Sequence, residues 1–196
     1  MNKGVAEAVA LLNDLLPQVK DIEDVEIVVC PTFTSLAAVS AAARGSNVGV
    51  GAQNVHWAES GAFTGEISAQ MLGEIPVEYV IIGHSERRQY FGESDETVNA
   101  RLKAALAAGL KPIVCVGELL EQRQTEQTEA VVGTQMAGAM AGLSAAEMAQ
   151  VIIAYEPVWA IGTGLHATTA QAQEACAFLR ERLAELFGHT WAKGAR

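Results

Sequence analysis

The sequence predicts an α/β fold built on a parallel sheet. Five short apolar segments, most of them rich in Val and Ile, alternate with segments of helical periodicity. The connections between them are long enough for right-handed helical crossovers. Continuous apolar runs of this kind are typical of strands that are buried on both faces. A doubly wound open sheet and a (β/α)8 barrel share this pattern, so the pattern alone leaves both architectures open.

The strands are predicted where β-branched runs stop at a breaker or at a polar residue. The first run is closed by Pro31, and the last run stops at the carboxylate of Glu156. Buried strands of parallel sheets have this composition and length. The predicted strands are residues 25–30, 48–53, 77–83, Lys111–Val116 and 151–155.

The helices are predicted from apolar spacing and from start and stop signals. Val5, Val9 and Leu12 recur at helical spacing, and Pro17 marks the expected end of that helix. Ser94 is a good helix start for the segment that Gly109 ends. The predicted helices are residues 1–18, 35–44, 67–72, 97–108, 121–143 and Thr169–Phe187.

Composition limits the possible classes of function. The 196 residues are 50% hydrophobic and 18% charged, which suits one domain over residues 1–196 with a sizeable core. The net charge of −10 and the pI near 4.8 disfavour nucleic acid and anionic membrane surfaces as partners. No run of 18 apolar residues and no signal peptide occurs in this sequence, so a cytoplasmic protein is expected.

The cysteines and histidines carry no metal signature. Cys30, Cys115 and Cys176 are widely spaced and odd in number, which predicts free thiols in a reducing compartment. The four histidines lack the spacing of metal ligands. We therefore expect neither a metal nor a cofactor.

The stretch VIIAYEPVWAIGTG, residues 151–164, has the composition of a strand followed by a lid. Pro157 excludes helix at Glu156, and two glycines further on allow backbone angles that other residues avoid. Trp159 and Ile161 place large apolar groups in a loop that would otherwise meet solvent. A segment that is stiff at one end and hinged by glycine at the other suits a closing lid. The alternative is an ordinary βα connection with an exposed glutamate.

His84 directly follows a predicted strand. In a barrel this position belongs to the rim where active sites lie, although such a histidine can also be an ordinary loop residue. Ser85 and Glu86 begin a short helix, whose N-terminal dipole disfavours a charged imidazole. A neutral ring can donate a hydrogen bond to a carbonyl oxygen and move a proton between two adjacent oxygens.

Five motifs occur in a fixed order. They are GAQN at 51–54, GAFTGEIS at 61–68, IIGHSERR at 81–88, CVGE at 115–118 and YEPVWAIGTG at 155–164. Together they resemble the triosephosphate isomerase family, and nearly the whole chain lies within the resemblance. The resemblance favours a (β/α)8 TIM barrel, incomplete in this chain.

The resemblance implies roles for individual residues. Glu156 is the expected base and His84 the expected polarising group, with Ser85, Glu86 and Cys115 in support. The expected phosphate contacts are Gly162 and Ile161. The remaining lid residues are Pro157, Val158, Trp159, Ala160, Thr163 and Gly164, and the expected dimer loop contains Phe63, Thr64 and Gly65.

The same resemblance implies a reaction and a partner. The expected enzyme interconverts dihydroxyacetone phosphate and D-glyceraldehyde 3-phosphate through an enediol, in glycolysis and gluconeogenesis. It takes a small phosphorylated triose as its substrate, needs no cofactor and forms a homodimer. The exposed aromatic residues of the loop 56–65 are consistent with a partner surface.

The sequence also departs from the family pattern. The family's first strand with its catalytic lysine, and strands seven and eight with their phosphate loops, have no match in these 196 residues. We therefore expect little isomerase activity from this polypeptide alone. The alternative is a non-catalytic barrel that serves as a binding or assembly module.

Overall fold

A computed structural model describes all 196 residues. The strands are β1 (Ile27–Val29), β2 (Val48–Ala52), β3 (Tyr79–Ile82), β4 (Lys111–Val116) and β5 (Ile152–Tyr155). The helices are α1 (Val5–Val19), α2 (Phe33–Ala43), α3 (Ala69–Gly73), α4 (Ser85–Phe91), α5 (Asp95–Ala107), α6 (Leu120–Gln124), α7 (Thr128–Ala139), α8 (Ala145–Met148), α9 (Thr169–Phe187) and α10 (His189–Lys193). A 3₁₀ helix, Val158–Ala160, follows β5.

The chain groups into two compact units. The first contains Met1–Ile82 and Lys103–Pro112, and the second contains Gly83–Leu102 and Ile113–Arg196. In the first unit β1, β2, β3 and the start of β4 follow one another in sequence order, with β2 parallel to both β1 and β3. In the second unit the rest of β4 pairs in parallel with β5. Parallel strands alternating with helices confirm the α/β class and fit an incomplete (β/α)8 barrel. The single domain remains a prediction.

Tyr79 is the largest fully buried side chain of the first unit, and glycines of β2 make room for it. A Cβ atom on Gly49 would lie 2.8 Å from the Tyr79 ring, and one on Gly51 would lie 3.0 Å from the Tyr79 Cβ. Contacts this close leave no space for a larger residue. The alternation of Val and Gly in β2 is therefore a consequence of packing.

Three side chains join the starts of three strands, and we call them the basal cluster: Glu26, Tyr79 and Lys111. The Tyr79 hydroxyl donates to Glu26, and the Lys111 ammonium lies 3.2 Å from that hydroxyl and 3.4 Å from the Glu26 carboxylate. Burial, with the hydrogen bond to Glu26, raises the pKa of Tyr79. The basal cluster therefore connects the amino-terminal starts of β1, β3 and β4 within the first unit.

The core of the second unit is apolar. Val114 and Val116 of β4, Val132 and Met136 of α7, and Leu179 of α9 are all at most 4% exposed. Burial of each such side chain stabilises the fold by about 1.5–3 kcal/mol. This core supports the strand ends from which the candidate site is built.

The structure corrects the long helix predicted over residues 121–143. The chain forms α6 and α7 in its place, and α8, which was not predicted, follows. Glu126 has a φ of +56°, which interrupts the helical hydrogen bonds, and Ser144 starts α8 by accepting a hydrogen bond from the Glu147 N–H. Gln and Glu are good helix formers, so composition gives no warning of these breaks.

Smaller differences concern the ends of helices and one additional helix. α1 continues through Pro17 to Val19, so the proline does not end it, and the Gln18 side chain donates to the Asp14 carbonyl. α10 follows α9 and was not predicted. The five strands lie where the sequence predicts them, with ends that differ by up to two residues. No helix of the structure has both the length and the hydropathy that a membrane span requires.

All three cysteines are free, as the sequence predicts. Cys176 is exposed on α9, whereas Cys115 is buried and Cys30 is partly buried. Burial raises the pKa of the Cys30 thiol to about 11, so at neutral pH this group is a thiol rather than a thiolate.

Candidate active site

His84 lies in the second unit, at the start of α4. It is the residue before α4, and its Nδ1 accepts a hydrogen bond of 3.3 Å from the Glu86 N–H. With Nδ1 as an acceptor, Nε2 is the ring nitrogen that carries a proton in this arrangement. Glu86 contacts the imidazole through its backbone N–H. Its half-exposed carboxylate lies farther from the same nitrogen, at 3.9 Å, which is too long for a hydrogen bond.

Glu156 directly follows β5, and its backbone N–H donates to the Val116 carbonyl at 2.8 Å. Its carboxylate meets the start of α4. Ser85 donates to it twice, from the backbone N–H to Oε2 at 2.9 Å and from the hydroxyl to Oε1 at 2.7 Å. His84 Nε2 lies 3.0 Å from Oε1. All these groups are donors, which is the environment of an ionised carboxylate.

The pair can perform acid-base chemistry on a small molecule. Glu156 is a proton acceptor held in a fixed place, and the Nε2–H of His84 can donate to an oxygen. In this structure the two groups bind each other and Ser85 stabilises the carboxylate. A bound substrate would have to replace the contacts of Glu156 with His84 and Ser85 by contacts with its own atoms.

A cavity of about 260 Å³ lies beside the carboxylate, within the second unit. Glu156 and Ser85 form one part of its wall, and Leu119, Gln122 and Val158 line other parts. Apolar surface with a few polar groups is typical of small-molecule sites. The 3₁₀ helix that contains Val158 thus contributes directly to the wall.

The segment after Glu156 has left-handed backbone angles at its two glycines, as the sequence predicts. Pro157 precedes the 3₁₀ helix, and Gly162 and Gly164 have φ values of +67° and +78°. The Thr163 hydroxyl donates to the Trp159 carbonyl at 2.8 Å and accepts from the Leu165 N–H. Ala160 ends the 3₁₀ helix, and Ile161 beyond it is 43% exposed. The tip of the segment is therefore exposed, and Thr163 connects it by hydrogen bonds to Trp159 and Leu165.

Trp159 is anchored by a fully buried glutamate. Its indole Nε1–H donates to Glu118 Oε1 at 3.0 Å. The Tyr155 hydroxyl donates to both oxygens of Glu118, and Arg123 Nη1 lies 3.1 Å from Oε1. Burial and the Glu118 charge raise the pKa of Tyr155. Glu118 therefore links the strand end, the lid segment and α6.

Replacing Glu118 by Gln is expected to lower the free energy of unfolding by about 3 kcal/mol. The amide lacks the negative charge that pairs with Arg123. Its NH₂ group is a donor and would face the Trp159 indole N–H, the Tyr155 hydroxyl or Arg123, which are donors themselves. Urea unfolding measures the loss. Glu121→Gln, an exposed carboxylate in α6, is the matched control and should be neutral. Equal stability of the two variants would contradict this role of Glu118.

The other predicted residues lie in β4 or in the first unit. Cys115 is buried in β4, one residue before its end. In the first unit Phe63 is 44% exposed and its ring lies 4.2 Å from the ring of His56, which stacks on the 41% exposed Trp57. Thr64 and Gly65 follow in the same exposed loop.

Sequence reasoning missed how closely Gly117 approaches Glu156. A Cβ atom on Gly117 would lie 1.7 Å from the Glu156 carbonyl oxygen. Gln135 of α7 holds Gly117 at both backbone groups, accepting from its N–H at 2.8 Å and donating to its carbonyl at 3.0 Å. Gly117 was visible within the CVGE motif, but Gln135 carries no local signal.

Comparison with known proteins places this arrangement in context. A model described as triosephosphate isomerase matches residues 1–196. The chain is 54% identical over 196 residues to the triosephosphate isomerase of Acetivibrio thermocellus, covering 100% of this chain and 78% of the relative. It is 51% identical over 194 residues to that of Trichlorobacter lovleyi, covering 99% and 77%. It is 50% identical over 196 residues to that of Carboxydothermus hydrogenoformans, covering 100% and 78%.

Proposed function

Because the chain belongs to the triosephosphate isomerase family, we propose that Glu156 and His84 carry out the family's reaction in it. The chain is an isomerase of dihydroxyacetone phosphate and D-glyceraldehyde 3-phosphate. The observation that supports these two residues is the 3.0 Å approach of His84 Nε2 to Glu156 Oε1, in a ring whose Nδ1 already accepts a hydrogen bond. Triosephosphate isomerase is itself the established example of a neutral histidine that works with a glutamate base.

The proton transfers follow from the positions of the two groups. Glu156 removes a proton from the carbon beside the substrate carbonyl, and the electron pair of that C–H bond becomes the C=C bond of the enediolate. The Nε2–H of His84 stabilises the new oxyanion, and then moves a proton between the two adjacent oxygens. Glu156 returns its proton to the neighbouring carbon. Ser85 holds the carboxylate until the substrate arrives.

We assign the substrate phosphate to the exposed lid tip, at Ile161 and Gly162. Gly162 is exposed, and a Cβ atom at this position would meet nothing within 4 Å. Its left-handed φ, rather than space, favours glycine here. Closure of the lid would exclude water from the enediolate.

Kinetic tests need a protein that also contains the catalytic lysine and the phosphate loops that the resemblance implies. We define a hybrid enzyme in which these 196 residues replace the matching segment of the Acetivibrio thermocellus relative. The lysine and the phosphate loops then come from the relative. The hybrid enzyme is expected to isomerise triose phosphates and to bind a phosphoglycolate-type enediol mimic.

The 196-residue polypeptide alone is expected to turn over at least about 10²-fold more slowly than the hybrid enzyme. Loss of one preorganised charge or donor typically lowers kcat by about 10²- to 10³-fold. Lys111 does not replace such a charge, because it begins β4 and pairs with Glu26 and Glu78. A coupled isomerase assay compares the two proteins.

Two results would overturn these assignments. Equal rates would show that the lysine and the phosphate loops of the relative are dispensable. A hybrid enzyme with neither activity nor affinity for the mimic would contradict the proposed function and support a binding module.

We also propose a homodimer that forms through the loop 56–65, in a cytoplasmic enzyme. Trp57 and Phe63, whose rings both contact His56, expose large apolar surface, which is a liability unless a partner covers it. A two-fold axis would place the same loop of both copies in equivalent contacts.

The hybrid enzyme is expected to sediment as a dimer at micromolar concentration. Phe63→Ser should shift it toward monomer, and Leu186→Ser, an equally exposed apolar residue on α9, should not. A dimer that is insensitive to Phe63→Ser would contradict this interface.

A further inference from the structure

The direction of the His84 ring depends on the turn that precedes it. Gly83, between β3 and His84, has a φ of +72°, and a Cβ atom there would lie 3.1 Å from a Val98 methyl group. Its carbonyl oxygen accepts a hydrogen bond of 3.0 Å from Arg88 Nε. The Gly83 carbonyl and the His84 nitrogen belong to one planar peptide group. The bond from Arg88 therefore fixes the plane from which His84 extends.

Arg88 is itself anchored on a second helix. Its Nη1 donates to Asp95 Oδ1 at 2.6 Å, and Asp95 is the first residue of α5. α7 packs against the same carboxylate, since a Cβ atom on Gly138 would lie 2.6 Å from the Asp95 Cβ. A chain of contacts thus runs from Gly138 through Asp95 and Arg88 to the peptide before His84.

Stability alone is a poor explanation for this arginine. Its third nitrogen, Nη2, is buried without a hydrogen-bond partner. Leaving a buried donor unpaired costs about 1–3 kcal/mol. The other two nitrogens bind Gly83 and Asp95 in spite of this cost. This indicates that Arg88 serves to fix the orientation of the Gly83 peptide.

We propose that Arg88, held by Asp95, is a positioning residue that orients His84. It touches neither the Glu156 carboxylate nor the imidazole through any observed hydrogen bond, and it acts through the Gly83 peptide. Fixing that peptide also fixes the first turn of α4, which contains the Glu86 N–H that bonds to His84 Nδ1. Arg88 thereby maintains the tautomer with the proton on Nε2. This inference rests on the proposed role of His84 in the isomerase reaction.

The direct test observes the ring rather than the reaction. The 196-residue chain, labelled with ¹⁵N-histidine, is studied by NMR at mildly alkaline pH, with and without Arg88→Gln and Asp95→Asn. In the unchanged chain the two His84 nitrogens should have well separated shifts, one protonated and one accepting. In both variants the two shifts should converge, because the tautomers mix once the turn loosens. Arg182→Gln, which removes the guanidinium of an exposed pair with Glu185, should leave them separated.

The kinetic test uses the hybrid enzyme. Arg88→Gln is expected to lower kcat by about 10- to 100-fold with KM within about twofold, because misplaced catalytic groups reduce transition-state binding. Arg88→Lys should restore part of the rate, since an ammonium can reach one of the two partners. The Arg88→Gln, Asp95→Asn double variant should be no slower than Arg88→Gln alone, since the two residues act as one unit. Gly138→Ala should lower kcat in the same direction, from a position with no observed contact to His84.

The outcomes separate this inference from the proposed function. Unchanged His84 shifts in Arg88→Gln would overturn the inference, whatever the kinetics, and so would additive kcat losses in the double variant. A hybrid enzyme that is inactive before any substitution would contradict the proposed function instead. In that case the NMR comparison still decides whether Arg88 orients the ring.

Discussion

Glu156→Asp is expected to lower kcat of the hybrid enzyme by about 10²-fold or more while KM stays within about twofold. The shorter side chain withdraws the carboxylate by one methylene from the carbon whose proton it removes, and misplacement of about 1 Å costs a rate factor of this size. The proposed contacts of Ile161 and Gly162 with the substrate phosphate do not involve that methylene. Steady-state kinetics in both directions of the isomerisation measure the effect.

The control for this substitution is Glu185→Asp. Glu185 is an exposed carboxylate on α9 that pairs with Arg182, so the same chemical change there should leave kcat and KM unaltered. Undiminished kcat in Glu156→Asp would remove Glu156 from the role of base. A rise in KM with constant kcat would instead make it a binding residue.

Gly117→Ala is expected to lower kcat by about 10²-fold and to lower the free energy of unfolding by about 1–3 kcal/mol. The added Cβ atom would lie 1.7 Å from the Glu156 carbonyl oxygen and 2.8 Å from its carbonyl carbon. Real atoms cannot approach so closely, so the main chain of Glu156 must shift. Gln135 holds Gly117 at both its N–H and its carbonyl, which prevents β4 from yielding instead.

Gly73→Ala is the matched control, because a Cβ atom at that position meets nothing within 4 Å. Urea unfolding and kinetics of both variants in the hybrid enzyme give the comparison. If Gly117→Ala retained the parent kcat, the contact between Gly117 and Glu156 would not set the position of the base.

The elements that the sequence predicts well are those with a strong local signal. Lys111–Val116 and Thr169–Phe187 have the predicted bounds, since a β-branched run and a well-capped amphipathic helix each specify their own ends. The helix expected over residues 121–143 was wrong, because the left-handed Glu126 separates α6 from α7 and α7 already ends at Ala139, amid residues that mostly favour helix. Local propensity cannot identify such breaks.

The candidate site also contains parts that the sequence predicts and parts that it does not. His84 and Glu156 each follow a recognisable strand, so their meeting at one edge was predictable from parallel topology. The contacts that hold them were not. Arg88 reaches back to Gly83 and across to Asp95, and Gln135 binds Gly117 eighteen residues away in sequence. Contacts of this kind arise from packing between elements, and no periodicity encodes them.

The basal cluster bears on how this fold could be diversified. Glu26, Tyr79 and Lys111 tie together the amino-terminal starts of the strands, whereas His84 and Glu156 follow carboxyl-terminal ends. Loops grafted after β3, β4 or β5 would therefore leave these ties in place. A library could randomise the loops that follow these strands while retaining the three residues of the basal cluster. Its members would keep the ties between the strand starts, so new activities could be selected with these ties unchanged.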